Sequence, residues 1–278
     1  MKGVIRKASK VKRWLPFNEH WWAKFDLLIT LVRRDLQARY KGSVLGSFWP
    51  LLNQLSQLLI FTYVFSTVLR VKPDDLPPNI PFSLWLFAGL LPWNAFTGGL
   101  IQAAGSVVAQ PNLVKKVVFP LALLPLVSIF SIFIESSFGL MALIVLVAVF
   151  AKTVHTTLIL LPLVWLPQLL LTAGLGYLAA GFTIFLRDTQ QGLAIILNIW
   201  LYFAPIVYPA SLIPQAWRNW VFWLNPLATI AEIYRDLVLA GRVDHWGELG
   251  VATLISVVVF ATGLSVYQQL RPAFADVL

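Results

Sequence analysis

Groups able to do chemistry are few in this chain, and their placement says more than their number. Glu135 is the only acidic residue deep inside a long apolar run, with Ser128 and Ser131 on the same helical face. A carboxylate in such a place costs about 2.5–3.5 kcal/mol on insertion scales, so it needs a partner. A hydrogen bond to a neighbouring helix is the first expectation; proton coupling would need a relay group, and none is visible. His20, His155 and His245 are scattered and make no ligand cluster. The chain has no cysteine, hence no thiolate metal site, no disulfide and no Cys nucleophile. No Ser/His/Asp set or carboxylate pair can be assembled in a plausible cleft. No G-x-x-x-x-G-K-[ST] run occurs, so the chain does not hold ATP in that way.

The remaining polar groups form stripes. Asn53 and Gln57 share a helical face with Phe61 and Val64, and Gln191, Asn198 and Tyr202 share another. In an apolar setting such stripes either hydrogen-bond to adjacent helices or line a pathway, and both readings stand. The 12 Trp, 19 Phe and 7 Tyr fit interfacial belts, and an aromatic-lined conduit would also suit sugar rings.

The elements that must position these groups are long and apolar. Hydrophobic residues make up 59% of the chain and charged residues 12%, against about 25% charged in an average soluble domain. Six segments approach the length of a bilayer crossing: Phe48–Leu69, Phe82–Ala104, Leu121–Phe150, Leu158–Leu186, Gly192–Tyr208 and Leu249–Tyr267. The expected fold is an all-α integral membrane protein, with a basic arm over 1–47 and a six-span domain over 48–278. The third segment, about 45 Å long as a helix, must tilt, kink near Pro125 or project. The fifth is short, with Pro205 near its end. Small residues at Gly99 and Ala103, and at Gly176 and Ala180, have the spacing that lets helices pack closely.

With both termini inside, fifteen Lys and Arg lie on the inner side and six on the outer, which favours a cytoplasmic N-terminus. The pI is near 9.9. Because the cations concentrate in the arm, the charge fits anionic lipid headgroups rather than nucleic acid. Residues 1–22 are basic but lack an apolar run before a small-residue cleavage site, so no removable signal peptide is expected.

Three connecting segments are unusual. Phe25–Lys41 reads as an amphipathic helix, with Phe25, Leu28, Ile29, Val32, Leu36 and Tyr40 on one arc and Arg33, Arg34, Gln37 and Lys41 on the other. Asp35 and Arg39 can pair at i,i+4, and Gly42 can end the helix. The arm is an interfacial anchor, a docking surface for a cytoplasmic partner, or a guide for an anionic headgroup. Pro111–Pro120 contains Asn112, Lys115 and Lys116, but also Leu113, Val114, Val117, Val118 and Phe119. These last are too apolar for a solvated loop, so lipid or a partner groove should cover them. Asn225-Pro226 is a strong helix start and Gly241 a natural stop, with Glu232 and Arg235 able to pair between them. Together with Trp217, Trp220 and Trp223 just before, this predicts two short re-entrant helices in the outer leaflet.

Three runs carry a resemblance. Arg33-Arg-Asp-Leu-Gln-Ala-Arg-Tyr-Lys-Gly-Ser-Val-Leu-Gly-Ser-Phe-Trp-Pro50 resembles the arm-to-first-span junction of ABC-2-type permeases that export polysaccharides. Lys115-Lys-Val-Val-Phe-Pro-Leu-Ala-Leu-Leu-Pro125 resembles that family's segment before the third span, and Asn225–Gly241 its outer helix before the last span. The O-antigen export permeases are most similar, with teichoic-acid exporters near; the likeness covers about residues 25–270. It implies a homodimer in the cytoplasmic membrane working with two separate ABC ATPase subunits, which carry the ATP and Mg, and with no cofactor on this chain. It implies that Arg33, Arg34, Pro111, Asn112, Lys115, Lys116 and Phe119 dock the ATPase. It implies that an undecaprenyl-diphosphate-linked glycan enters near Arg39, Lys41, Ser43 and Gly46. The first and fifth spans of both copies, with Asn53, Gln57, Phe61, Gln191, Asn198 and Tyr202, would line the channel. Trp217, Trp220, Trp223, Glu232 and Arg235 would form the outer gate.

Other classes compete with a polysaccharide permease. A related exporter of a small lipophile or drug would need a narrow apolar pocket. A membrane enzyme, such as a glycosyltransferase or lipid-phosphate hydrolase, would need clustered carboxylates or histidines at one interface, which the sequence does not show. A structural subunit would need no pathway at all.

Overall fold

A bilayer core offers no water to backbone N–H and C=O groups, so a chain that crosses it alone must be helical. The computed structural model describes residues 19–68, 70, 80–115, 119–152 and 154–278, and helix is the only regular structure among them. Residues 1–18, Lys72, Lys116, Val117 and Val118 lie outside the described residues.

The arm helix α1 spans Glu19–Arg39, starting a turn and a half earlier than its periodicity suggests and ending before Gly42 at φ +83°. The first span is α2, Trp49–Phe61, continued by a π-helical stretch Thr62–Val68. Then follow α3, Phe82–Gly105, and a single turn α4, Pro111–Val114. The next spans are α5, Leu123–Phe150, and α6, Leu161–Phe185 with a 3₁₀ lead-in Thr156–Leu160. After them come α7, Thr189–Phe203, α8, Gln215–Leu224, and α9, Pro226–Arg235, which continues as a π turn to Ala240. The last span is α10, Trp246–Leu270, followed by the short α11, Phe274–Val277.

Five of these helices are long and apolar enough to cross a membrane, and α7 is not among them. At 15 residues it is about 22 Å long, because Pro205 stops the ladder just beyond Phe203. The segment nevertheless runs beside the length of α3. Gln190 packs on Gly105 at one end, and the carbonyls of Pro205 and Ile206 meet Arg235 beside Trp85 at the other. The third span does not kink at Pro125: the proline falls in the first turn of α5, where no intrahelical N–H bond is lost.

Packing centres on α3, which is enclosed by α5, α6, α7 and α9. The small-residue pairs do lie where helices pack closely: a Cβ at Gly176 would lie 3.1 Å from the Ala103 methyl, while Gly99 faces Thr172 and Ile129. A closer seam joins α6 and α10, where a Cβ at Gly263 would fall 2.1 Å from the Gly174 carbonyl oxygen. Buried apolar residues form two clusters. The larger joins the first half of α3 to α9 and the adjoining parts of α5 and α6, and the smaller joins Ala103, Val114, Tyr177, Tyr267 and Phe274 toward the arm end. At that end Tyr177 and Tyr267 donate hydrogen bonds to the carbonyls of Ala122 and Leu121, closing the turn that precedes α5.

Candidate functional site

The sequence-predicted residues fall into four places. The first is the arm junction. The Tyr40 hydroxyl donates to Glu135 Oε1 at 2.7 Å, and Arg39 Nη1 lies 3.6 Å from Glu135 Oε2. Arg39 Nε also bonds Asp35 Oδ2 at 2.8 Å, and its Nη2 donates to Gln102 on α3. Burial, reinforced by the bond to Glu135, raises the Tyr40 phenol well above its ordinary range. The lone carboxylate of the third span thus has its neighbouring-helix partner, and that partner is the arm. Ser131 is buried inward without a side-chain partner, while Ser128 lines a different, polar cavity with Asp35, Gln102, Ser106, Gln110 and Gln190. Of the residues expected to meet a diphosphate, Arg39 is engaged, while Lys41 and Ser43 are exposed. Ser43 Oγ accepts from the Gly46 N–H and from Trp49 Nε1, which shapes the turn into α2.

Between the apolar face of α1 and α5 lies a groove of about 670 Å³, walled by Phe25, Ile29 and Val32 on the arm and Phe130, Ile134 and Phe138 opposite. Arg33 edges this groove; both it and Arg34 are exposed.

The second place is the α4 turn. Pro111, Asn112 and Lys115 are exposed, whereas Val114 is buried and Leu113 and Phe119 pack on the smaller cluster. The apolar residues of this segment were expected to need lipid or a partner; the chain covers the described ones itself, with Phe274 and Tyr267 in the same cluster. That leaves a polar knob on an apolar root.

The third comprises the stripes. Gln57 Oε1 accepts from Asn94 Nδ2 at 2.9 Å, and Phe61 packs edge-on against Phe65, so both face the bundle. Asn53, Gln191, Asn198 and Tyr202 lie on exposed faces of α2 and α7. They are on the outside of the protomer rather than around an interior cavity.

The fourth is the α8–α9 hairpin at the end opposite the arm. Asn225 caps α9 by accepting from the Leu227 N–H, with Pro226 in the first turn as predicted, and it also accepts from Trp200 Nε1. Trp217, Trp220 and Trp223 project outward. Glu232 and Arg235 do pair, at 2.8 Å. Arg235, however, is 2% exposed. Its guanidinium lies 3.5 Å from the Trp85 ring centroid and donates to the carbonyls of Pro205 (2.9 Å) and Ile206 (2.6 Å). It therefore satisfies backbone left unpaired by the break after α7, and it fits only because residue 89 is glycine. Next to it, burial raises the Asp236 carboxyl to about 6, partly offset by the hydrogen bond from the Asp244 N–H.

Sequence reasoning missed Gln168. It is wholly buried, donates to the Pro92 carbonyl and accepts from the Tyr234 hydroxyl, tying α6 to α3 and α9. Among the described residues no group of His, Cys, Asp and Glu could hold a metal ion.

Five long apolar crossings packed around α3 define a multi-pass membrane protein. The family model for the ABC-2 type transporter matches residues 26–239, and the chain belongs to that family. It is 28% identical over 255 residues to the O-antigen export system permease protein RfbA of Klebsiella pneumoniae, covering 91% of this chain and 95% of the relative. The protein of the same name from Myxococcus xanthus is 31% identical, covering 90% and 94%. The polysialic acid transport protein KpsM of Escherichia coli is 26% identical, covering 87% and 93%.

Proposed function

We infer that this chain is the membrane permease subunit of an ABC transporter that exports a polysaccharide. The observation that carries this reading is the similarity to export permeases over about nine-tenths of both chains. Power comes from ATP hydrolysis on a separate subunit, since the sequence has no phosphate-binding loop of its own. Two copies act together, and the exposed polar faces of α2 and α7, with Asn53, Gln191, Asn198 and Tyr202, meet across the pair to line the conduit. Buried in lipid instead, those groups would go unpaired. The exposed Pro111, Asn112 and Lys115, with Arg33 and Arg34, dock the ATPase. Lys41 and Ser43 meet the diphosphate of an undecaprenyl-linked glycan, and the α8–α9 hairpin closes the outer end with its three exposed tryptophans. Both termini lie on the cytoplasmic side of the inner membrane.

The test is ATP hydrolysis by this chain and its cognate ATPase, co-purified in nanodiscs, with and without the undecaprenyl-diphosphate-linked glycan. Glycan-stimulated hydrolysis is the expected result. A complex that ignores the glycan but responds to small lipophiles would replace the substrate assignment, and failure to form any complex would overturn the subunit assignment. Lys115→Glu should reduce co-purification.

A further inference from the structure

The groups gathered at Glu135 come from two parts of the chain, the arm and α3. Tyr40 and Arg39 are in the last turn of the arm and just beyond it, Gln102 is on α3, and Asp35 steadies Arg39 from one turn earlier. Farther toward the N-terminus of α1 the facing surfaces are mainly apolar and are held apart by the groove of about 670 Å³. Apolar surfaces slide past one another at little cost, because dispersion and burial are not directional. Hydrogen bonds are directional: a slip of α1 along α5 by one helical turn, about 5.4 Å, would carry the Tyr40 hydroxyl, now 2.7 Å from Glu135, beyond bonding distance. A carboxylate in an apolar span is expensive, and here its bonds all run toward the arm and fix its register.

We propose that Glu135 is a positioning residue that latches the last turn of the arm to α5. The arm then pivots about this point instead of sliding, and a push on α1 is delivered to α5 directly and to α3 through Arg39 and Gln102. This rests on the reading that the arm meets an ATPase subunit.

The experiment uses the full chain with its ATPase in nanodiscs. The chain has no cysteine, so a single nitroxide at Thr30→Cys reports arm mobility without background, and basal and glycan-stimulated ATP hydrolysis are measured on the same samples. Glu135→Gln keeps an acceptor for Tyr40 but removes the charge facing Arg39; Tyr40→Phe removes only the hydroxyl. Tyr40→Phe should raise the unlatched fraction at least about tenfold, the effect of one hydrogen bond to a charged group, and Glu135→Gln should raise it through loss of the charge that holds Arg39. Both should lower the ratio of stimulated to basal hydrolysis while leaving ATPase recruitment intact, and Glu135→Asp should restore part of it. An unchanged line shape in both variants overturns the latch, as does a mobile arm with the parental hydrolysis ratio. Tyr40→Phe keeps the test decisive if Glu135→Gln does not fold. A parent chain that recruits no ATPase counts against the subunit assignment, and the line shapes alone then decide the latch.

Discussion

Gly89→Ala tests whether the buried guanidinium of Arg235 holds the far end of the bundle together. A methyl at residue 89 would lie 2.3 Å from Arg235 Nη2 and 2.9 Å from Cζ. Non-bonded heavy atoms settle near 3.5 Å, so the guanidinium must retreat by about 1 Å. The retreat stretches the 2.6 Å bond from Nη2 to the Ile206 carbonyl past useful length and disturbs the 2.9 Å bond from Nη1 to Pro205. A hydrogen bond involving a charged group contributes about 1.5–3 kcal/mol, and a displaced cation also loses its seat over Trp85. A total of about 3 kcal/mol follows, or roughly a 6–12 °C drop in unfolding temperature for a chain of this size. The assay is thermal unfolding in detergent at one scan rate, followed by tryptophan fluorescence. In an Arg235→Met background the flexible thioether can yield, and the same Gly89→Ala change should cost much less. A loss that is small in the parent, or equal in both backgrounds, would refute the reasoning.

Three further outcomes are expected. Asp236 has its carboxyl raised to about 6, above the unfolded value of about 3.9. Its contribution is therefore complete below about pH 4 and lost as pH rises through 6. Unfolding temperature should fall from pH 5 to 7 in the parent and stay flatter in Asp236→Asn, with Glu232, Asp244 and His245 still facing the site. Asn225→Ala removes the cap on Leu227 and the acceptor for Trp200. It should cost about 1 kcal/mol for the cap alone, and Asn225→Ser should cost less, both read by the same thermal assay. Gly263→Ala places a methyl 2.1 Å from a backbone oxygen rather than a side-chain tip. It should reduce folded protein more than Gly89→Ala, measured as monodisperse yield on size exclusion.

The parts of the fold that follow from local rules were legible in the sequence. Asn225, Pro226 and Gly241 mark the ends of α9 because capping needs only neighbours in the chain, and the small-residue spacing marks α3 and α6 as helices that pack closely. What sequence could not supply was partnership across the bundle. Arg235 and Glu232 pair as i,i+3 arithmetic predicts, yet nothing local says that the guanidinium turns inward to the carbonyls after α7. Glu135 was recognised as needing a partner, but Tyr40 is ninety-five residues away. The apolar residues of the α4 turn looked uncovered for the same reason, since Phe274 and Tyr267 come from the far end of the chain. Gln168 passed unnoticed because a lone glutamine in a span has no pattern to betray it.

The Gln57–Asn94 bond has a consequence for how the chain enters the bilayer. The two spans it joins are the least apolar of the five, each with a mean hydropathy of 1.3, against 2.0 to 2.4 for α5, the α6 segment and α10. They also precede the other three along the chain. A nascent helix with an unpaired amide is held back at the threshold of the lipid, and two such helices can satisfy each other. The leading hairpin therefore partitions as a pair, and the strongly apolar helices made later can insert singly around it. Asn94→Leu, which makes α3 more apolar, should leave α2 lingering at the insertion machinery, an outcome that glycosylation-site mapping during synthesis would register.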